Sequence, residues 1–312
     1  MSFSSEVKDE LARVNPESAE IRRAELSAML LYGGKSKAEK EQLLFSSEHA
    51  GTVRKYFTLV RNTYKISDSF VIQKRPSLKR AHAFEAVLSG RDAVQMILED
   101  LHFRADASGD LESEEERKEA PEPEERAFLR GAFLAAGSLS DPEKSYHLEF
   151  VCSDEKKAGT LKALLRKIGA EAGIVGRKRF SVVYLKDSSG IVDALGWMGA
   201  PGALMEMENV RILKEMRNSV NRQVNCEAAN ISKTVSASMK QVQEIEYIRD
   251  TAGLVSLPVL LREMAEVRLQ YPEAALKELG EYLNPPVGKS GVNHRLRKLS
   301  EYAGELRGAK KW

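Results

Sequence analysis

The stretch Glu124-Glu-Arg-Ala-Phe-Leu-Arg-Gly-Ala-Phe-Leu-Ala-Ala-Gly-Ser-Leu-Ser-Asp-Pro142 decides the fold. It reads as a helix that is apolar around most of its circumference. Gly131, Ala132, Ala135 and Ala136 leave one side almost without side chains, so a second helix can pack very close to it. Gly137, followed by Asp141-Pro142, is a stop signal. A helix that is apolar on most sides belongs at the centre of a domain, because only burial satisfies it.

A helix of the same kind occurs earlier. Asn15 reads as its cap and Pro16 as its first helical residue. Leu26 to Gly34 then aligns without a gap on Leu129 to Gly137, both reading Leu-x-small-x-x-x-x-x-Gly. The elements after the two helices match as well. After the first come a strand (Gln42–Ser47), a helix (Ala50–Thr63), a strand pair (Ser69–Lys74 and Ala81–Leu88) and a helix (Asp92–His102). After the second come a strand (Tyr146–Cys152), a helix (Asp154–Ile168), a strand pair (Ala172–Val175 and Phe180–Leu185) and a helix from Gly190. Ala158-Gly-Thr-Leu161 echoes Ala50-Gly-Thr-Val53. The order repeats at a spacing of roughly one hundred residues, which is an internal duplication. Two repeats about a pseudo-two-fold axis, each giving one helix to that axis, explain the glycines and alanines.

The expected fold class is α+β, a duplicated domain followed by an all-α domain. The expected boundaries are 1–104 for repeat one, 105–125 for a solvated acidic linker, 126–218 for repeat two and 219–312 for a helical domain. The linker rests on nine acids between Asp110 and Glu125, with Pro121 and Pro123 near its end. The long helical stretch Glu206–Asp250 is expected to break near Asn221–Asn225, with Met239, Val242, Ile245 and Ile248 as its apolar stripe.

The last ninety residues carry the sharper pattern. Leu257–Leu269 and Pro272–Leu283 read as helices, Asn284-Pro-Pro-Val-Gly-Lys289 as a turn, and Gly291 to about Leu306 as a third helix capped by Ser290. Val292, Leu296, Leu299, Ala303 and Leu306 are spaced four, three, four, three and form one narrow stripe. Asn293, His294, Arg297 and Lys298 then face solvent, with Arg295 at the flank. Amide, imidazole and guanidinium groups in the first turns, beside Lys289, are the donors that a helix-turn-helix recognition helix (here about 272–306 for the motif) offers to base edges. A helix N-terminus also suits a phosphate.

Charge and composition narrow the rest. The chain has 312 residues and a formal net charge of only +2, so basicity of the whole chain does not argue for nucleic acid. From Lys289 onward, however, seven Lys and Arg stand against two Glu, with Arg307, Lys310 and Lys311 in the tail. Cys152 and Cys226 lie far apart in no ligand spacing and read as reduced and structural. No window reaches the length of a membrane span, and no signal core follows Met1. The expected location is the cytoplasm, at the nucleoid. His49, His82, His102, His147 and His294 have no metal-ligand spacing, so neither a metal nor a cofactor is expected.

These residues carry a family resemblance. The paired Leu-x-small-x5-Gly helices with their strands resemble the LAGLIDADG homing-endonuclease fold. Together with the linker, the terminal helix-turn-helix and the stretches Val220-Asn-Arg-Gln-Val-Asn-Cys-Glu-Ala-Ala-Asn-Ile-Ser-Lys-Thr-Val235 and Pro285-Pro-Val-Gly-Lys-Ser-Gly-Val-Asn-His-Arg-Leu-Arg-Lys-Leu299, the chain resembles the WhiA family of bacterial regulators. The resemblance implies a sequence-specific DNA-binding protein linked to cell division, chromosome segregation and, in spore formers, sporulation. In LAGLIDADG nucleases each axial helix ends in a carboxylate just before its last glycine, and the two acids hold divalent metal. Gly33 and Ala136 stand at those positions here, which argues against cleavage. The resemblance therefore implies a non-enzyme whose partner is double-stranded DNA, contacted through Lys289, Ser290, Asn293, His294, Arg295, Arg297 and Lys298. The first domain would dock another transcription regulator or RNA polymerase, or keep DNA contacts through Lys74, Arg75, Lys79, Arg80, Arg177, Lys178 and Arg179. The competing classes are an active metal-dependent endonuclease and a chromosome-associated protein with little sequence preference.

Overall fold

The structure is a computed structural model that describes residues 2–66, 70–76, 82–114 and 120–309. Lys79, Arg80, Lys310 and Lys311 of the basic sets lie outside the described residues, as does 115–119 of the linker. The chain divides into two compact units, Met1–Lys214 and Glu215–Trp312.

The first unit opens with α1 (Phe3–Ala12) and then repeats one motif twice. Repeat one is α2 (Ala19–Gly33), β1 (Gly34–Lys37), β2 (Gln42–Ser47), α3 (Ala50–Tyr64), β3 (Phe70–Pro76), β4 (His82–Ser89) and α4 (Arg91–Asp100). The short strands β5 (Phe103–Ala105) and β6 (Leu111–Ser113) come next. Repeat two is α5 (Glu122–Ala136), β7 (Gly137–Leu139), β8 (Leu148–Cys152), α6 (Glu155–Lys167), β9 (Gly173–Arg177), β10 (Phe180–Leu185) and α7 (Ser188–Met198). The two sheets have the same antiparallel order, β1-β2-β4-β3 and β7-β8-β10-β9. This is the α+β duplication that the sequence implies.

The small-residue sides of α2 and α5 meet. A Cβ on Gly131 would collide with the Glu25 carbonyl oxygen, and one on Gly33 would sit 2.8 Å from the Phe45 ring and 3.2 Å from Ala135 Cβ. One continuous core spans both repeats, with Leu26, Met29, Leu30, Phe45 and Tyr56 from the first and Leu129, Phe133, Phe150, Leu161 and Leu195 from the second. A charged group is buried on this axis. Glu25 is fully buried, and its carboxylate pairs with Arg130 of α5 at 2.9 Å and with Lys55 of α3 at 3.4 Å. Burial lowers the Lys55 ammonium pKa, and the Glu25 charge opposes that shift.

Several local expectations are corrected. Ser18, not Asn15, caps α2: its hydroxyl accepts from the Ile21 amide at 3.1 Å, and the helix starts at Ala19. Both axial helices run straight into strands. Gly34 and Gly137 are extended (φ −86° and −84°), so neither is a left-handed cap. They are glycine for space: a Cβ on Gly34 would sit 2.7 Å from the Leu30 carbonyl oxygen, and one on Gly137 2.7 Å from Phe133 Cα. The acidic stretch after residue 104 is not all solvated linker. β5 and β6 pair, Leu111 is fully buried, and the Ser36 amide donates to the Gly109 carbonyl at 2.8 Å.

The helix α8 (Pro201–Thr251) is unbroken through Asn221–Asn225. The second unit continues with α9 (Val259–Gln270), α10 (Leu276–Glu281) and α11 (Lys289–Ala309). Its core holds Ile245 and Ile248 with Leu257, Met264, Leu279, Leu283, Val292, Leu296, Leu299 and Ala303. Met239 is 58% exposed and outside the stripe assigned to it, and Ser238 turns inward instead.

Candidate nucleic-acid interface

The predicted stripe of α11 faces the core. Val292, Leu296, Leu299 and Ala303 are buried, and Leu306 packs at the edge. The opposite side is open, as the 100° geometry requires. Lys289, Ser290, Asn293, His294, Arg297 and Lys298 are exposed, and Arg295 is half-buried.

Ser290 is not a cap. The helix begins at Lys289, and the first intrahelical bond runs from the Val292 amide to the Gly288 carbonyl at 3.1 Å. The amides of the first turn therefore point out of the helix end with no carbonyl behind them. The Ser290 hydroxyl lies beside them, on the exposed face.

The helix before the turn is shorter than its sequence suggests. Pro272 to Ala274 lie outside it, and the carbonyls of Pro272 and Ala274 are engaged elsewhere. The buried Arg268 guanidinium donates to the Ala274 carbonyl at 2.8 Å and to Gln241 Oε1 at 2.7 Å, and Ser238 Oγ donates to the Pro272 carbonyl. Burial lowers the Arg268 pKa. Ala275 then starts α10 with no side-chain cap. Its amide donates to the Glu278 carboxylate at 2.8 Å instead. Arg268 and Gln241 join α8, α9 and the entry to α10, and sequence reasoning missed them. An arginine in a helix with apolar neighbours, three to four residues from a Tyr-Pro stop, is the only trace.

The turn Tyr282–Gly288 is long for a helix-turn-helix, and Gly280 makes room for it. The Val287 amide donates to the Gly280 carbonyl at 2.9 Å, and a Cβ on Gly280 would collide with the Val287 carbonyl oxygen. The turn contains a cis Asn284–Pro285 bond.

The outward cations are partly engaged. Lys298 Nζ lies 2.8 Å and Arg297 Nε 3.6 Å from the Glu301 carboxylate. The Lys298 hydrogen bond, with both nearby cations, lowers the Glu301 pKa. The side chains of Asn293 and His294 make no hydrogen bond or ion pair among the described residues.

The sheets of the first unit carry a different pattern, in which Val71, Val151 and Val175 are exposed and Leu44, Val87 and Val182 are buried. Cross-strand register places Lys35, Leu44, Val87 and Val71 in one row across the first sheet, with Ser46, Glu85 and Gln73 in the next. Val151, Val182 and Val175 form a row across the second, beside Ser138, Glu149 and Tyr184. Each sheet thus centres a carboxylate. Gln73 donates to Glu85 at 2.8 Å, and Ser138 donates to Glu149 at 3.3 Å, with Arg177 3.8 Å away. Lys74, Arg177, Lys178 and Arg179 are exposed near strand ends, and Arg179 lies over the Phe180 ring at 4.9 Å. The ends of α2 and α5 carry Gly33 and Ala136, and neither has a group that can ligate a metal.

Comparison with known proteins gives one answer along the chain. Residues 19–104 match the WhiA N-terminal LAGLIDADG-like domain, 125–217 the WhiA LAGLIDADG-like domain and 220–303 the WhiA C-terminal HTH domain. The chain is 43% identical over 315 residues to "Probable cell division protein WhiA" of Clostridium beijerinckii, covering 99% of this chain and all of that one. It is 45% identical over 321 residues to the protein of the same name from Lachnoclostridium phytofermentans, covering 98% and 100%. Among solved structures, full-length DUF199/WhiA from Thermatoga maritima superposes with a TM-score of 0.61 at 25% identity, covering 98% of this chain and 99% of that one. From its duplicated LAGLIDADG-like repeats to its terminal helix-turn-helix, the chain belongs to the WhiA family.

Proposed function

We propose that this protein is a sequence-specific DNA-binding transcription regulator acting in cell division, and that it does not cleave DNA. The observation that carries the reading is the outward face of α11. Asn293, His294 and Arg297 stand exposed on the first turns of a helix whose other side is locked into a core. Amide and guanidinium groups in that position read base edges in the major groove. Lys289, Ser290, Arg295 and Lys298 would hold phosphates, with the free amides of the helix end. The name of the relatives supports the link to division, and sporulation follows where the host forms spores. A location at the nucleoid follows from the same reading.

Loss of both axial carboxylates, at Gly33 and Ala136, supports the absence of nuclease chemistry. For the first unit, the exposed Val71, Val151 and Val175 and the central Glu85 and Glu149 favour a protein partner, such as a second regulator or RNA polymerase. A phosphate-binding face needs cations where these carboxylates stand.

The test is affinity selection of fragmented genomic DNA by the full chain at ~150 mM salt. A short shared motif is expected. Arg297→Ala should relax the preference at one or two positions of it, at a cost of about 1–3 kcal/mol, while Lys289→Ala should weaken all DNA and lower the salt slope by about one. Enrichment without a shared motif would sink sequence specificity. Nicking of plasmid DNA in magnesium would sink the non-enzyme reading.

A further inference from the structure

The middle of α8 has no role in the core. Every residue from Met216 to Ala237 is exposed, about six turns of helix. A helix that packs on nothing is marginal in water, and asparagine makes it worse. Yet this stretch holds Asn218, Asn221, Asn225 and Asn230. Such a composition is a cost to folding and calls for another explanation.

The amides are not scattered. At 100° per residue, Asn218, Asn221, Arg222, Asn225, Ser232 and Lys233 fall within an arc of about 120°. None of these six side chains has a hydrogen bond or ion pair among the described residues. Gln223 and Asn230 lie outside the arc and are engaged within the helix, Gln223 with Glu227 at 3.2 Å and Asn230 with Cys226 Sγ at 3.7 Å. Ala229 lies in the middle of the arc, so a ligand can come close to the helix there. Val220, Val224, Ile231 and Val235 take a separate arc. Between Arg217 and Lys240 four Lys and Arg stand against the single Glu227.

We infer that the middle of α8 is a second DNA-contacting helix, which lays its Asn218–Lys233 face in the major groove beside the site of α11. Free amides are the groups that pair with adenine edges, and Arg222 and Lys233 at the ends of the face suit phosphates. A helix of ~11 Å diameter fits a groove ~12 Å wide, and basic helices can cross it as continuous helices with no supporting fold. DNA fits this surface better than a second copy of the chain does, because self-pairing would bring the excess cations together without acids to meet them. The inference rests on the proposed DNA-binding function and extends the contacted site beyond α11.

The experiment uses the full chain, the selected genomic motif and four variants: N221A/N225A, R222A/K233A, R297A and V224S. Alanine raises helix propensity, so lost binding by N221A/N225A is not lost helix. N221A/N225A should lose at least tenfold in affinity and should lose preference at base pairs other than those relaxed by R297A. R222A/K233A should lower the salt slope by about two. Hydroxyl-radical footprints of both should be shorter than that of the parent. If both bind and protect as the parent does while R297A does not, the inference is overturned and the proposed function stands. Sedimentation showing a dimer that Val224→Ser dissolves, with DNA affinity unmoved by N221A/N225A, overturns it as well and assigns α8 to a second copy. If the parent binds no DNA, both readings fall.

Discussion

Gly131→Ala and Gly159→Ala make the same chemical change in two helices, and the structure assigns them opposite signs. In the interior of a helix, glycine to alanine stabilises by about 1 kcal/mol through backbone entropy. Gly159 is exposed in α6, and a Cβ there meets nothing within 4 Å, so the gain should appear in full. At Gly131 the added Cβ runs into the Glu25 carbonyl oxygen and sits 3.0 Å from Ala28 Cβ. The obstacle is backbone, so α2 and α5 must move apart and loosen the core between them. Overpacking costs about 1–3 kcal/mol, and with a rigid neighbour the upper end applies. Against the propensity gain this leaves a net loss of about 2 kcal/mol. A unit of this size shifts by roughly 2–4 °C per kcal/mol. Thermal melting of the full chain, followed in the first unit, should fall by about 4–8 °C for Gly131→Ala and rise by about 2–4 °C for Gly159→Ala. A Gly131→Ala protein that melts at or above the parent would refute the argument that contact between backbones sets the axis.

Arg268→Met should leave the Ala274 carbonyl and Gln241 without their buried donor, at about 1–3 kcal/mol each, and hydrogen exchange at the amides of α10 should speed up; unchanged protection would mean that Arg268 does not hold α10. Burial lowers the Lys8 pKa to about 8 against an unfolded value near 10.4, so the unfolded chain holds more protons between those values. Stability of the first unit should therefore rise as pH climbs from 8 to 10, and Lys8→Met should stabilise by about 1 kcal/mol at pH 7, with the gain gone by pH 10; denaturant midpoints across that range check both. Glu301→Gln should release Lys298 and Arg297, tighten DNA binding several-fold and raise the salt slope by about one; an unchanged slope in anisotropy titrations would show that the pairs do not compete with phosphate.

The periodic parts of the fold could be read from the chain, and the parts set by distant neighbours could not. The stripe of α11 and the strand Leu148–Cys152 follow directly from spacing, because a buried face leaves a regular mark on sequence. The short strands β1 and β7 left no such mark. They are three or four residues long and exist because glycine lets the axial helix pass directly into a sheet. The start of α10 failed for another reason. Pro272 to Ala274 have acceptable helical neighbours, but Arg268 and Ser238 claim the Ala274 and Pro272 carbonyls from outside. The unbroken α8 went against its asparagines, whose local preference favours turns. The exposed face of α11 was legible for a simple reason: once the buried stripe is fixed, the opposite face has no freedom.

The close approach of the two axial helices also decides what the end of α2 can carry. At Gly33 even a methyl group would meet Phe45 and Ala135. An aspartate placed there by one mutation would have to push apart the helices that define the fold. A pair of carboxylates at the helix ends would thus need coordinated changes at the axis and in the sheet behind it. Packing alone vetoes an acid at this position, whatever a ligand might offer in return.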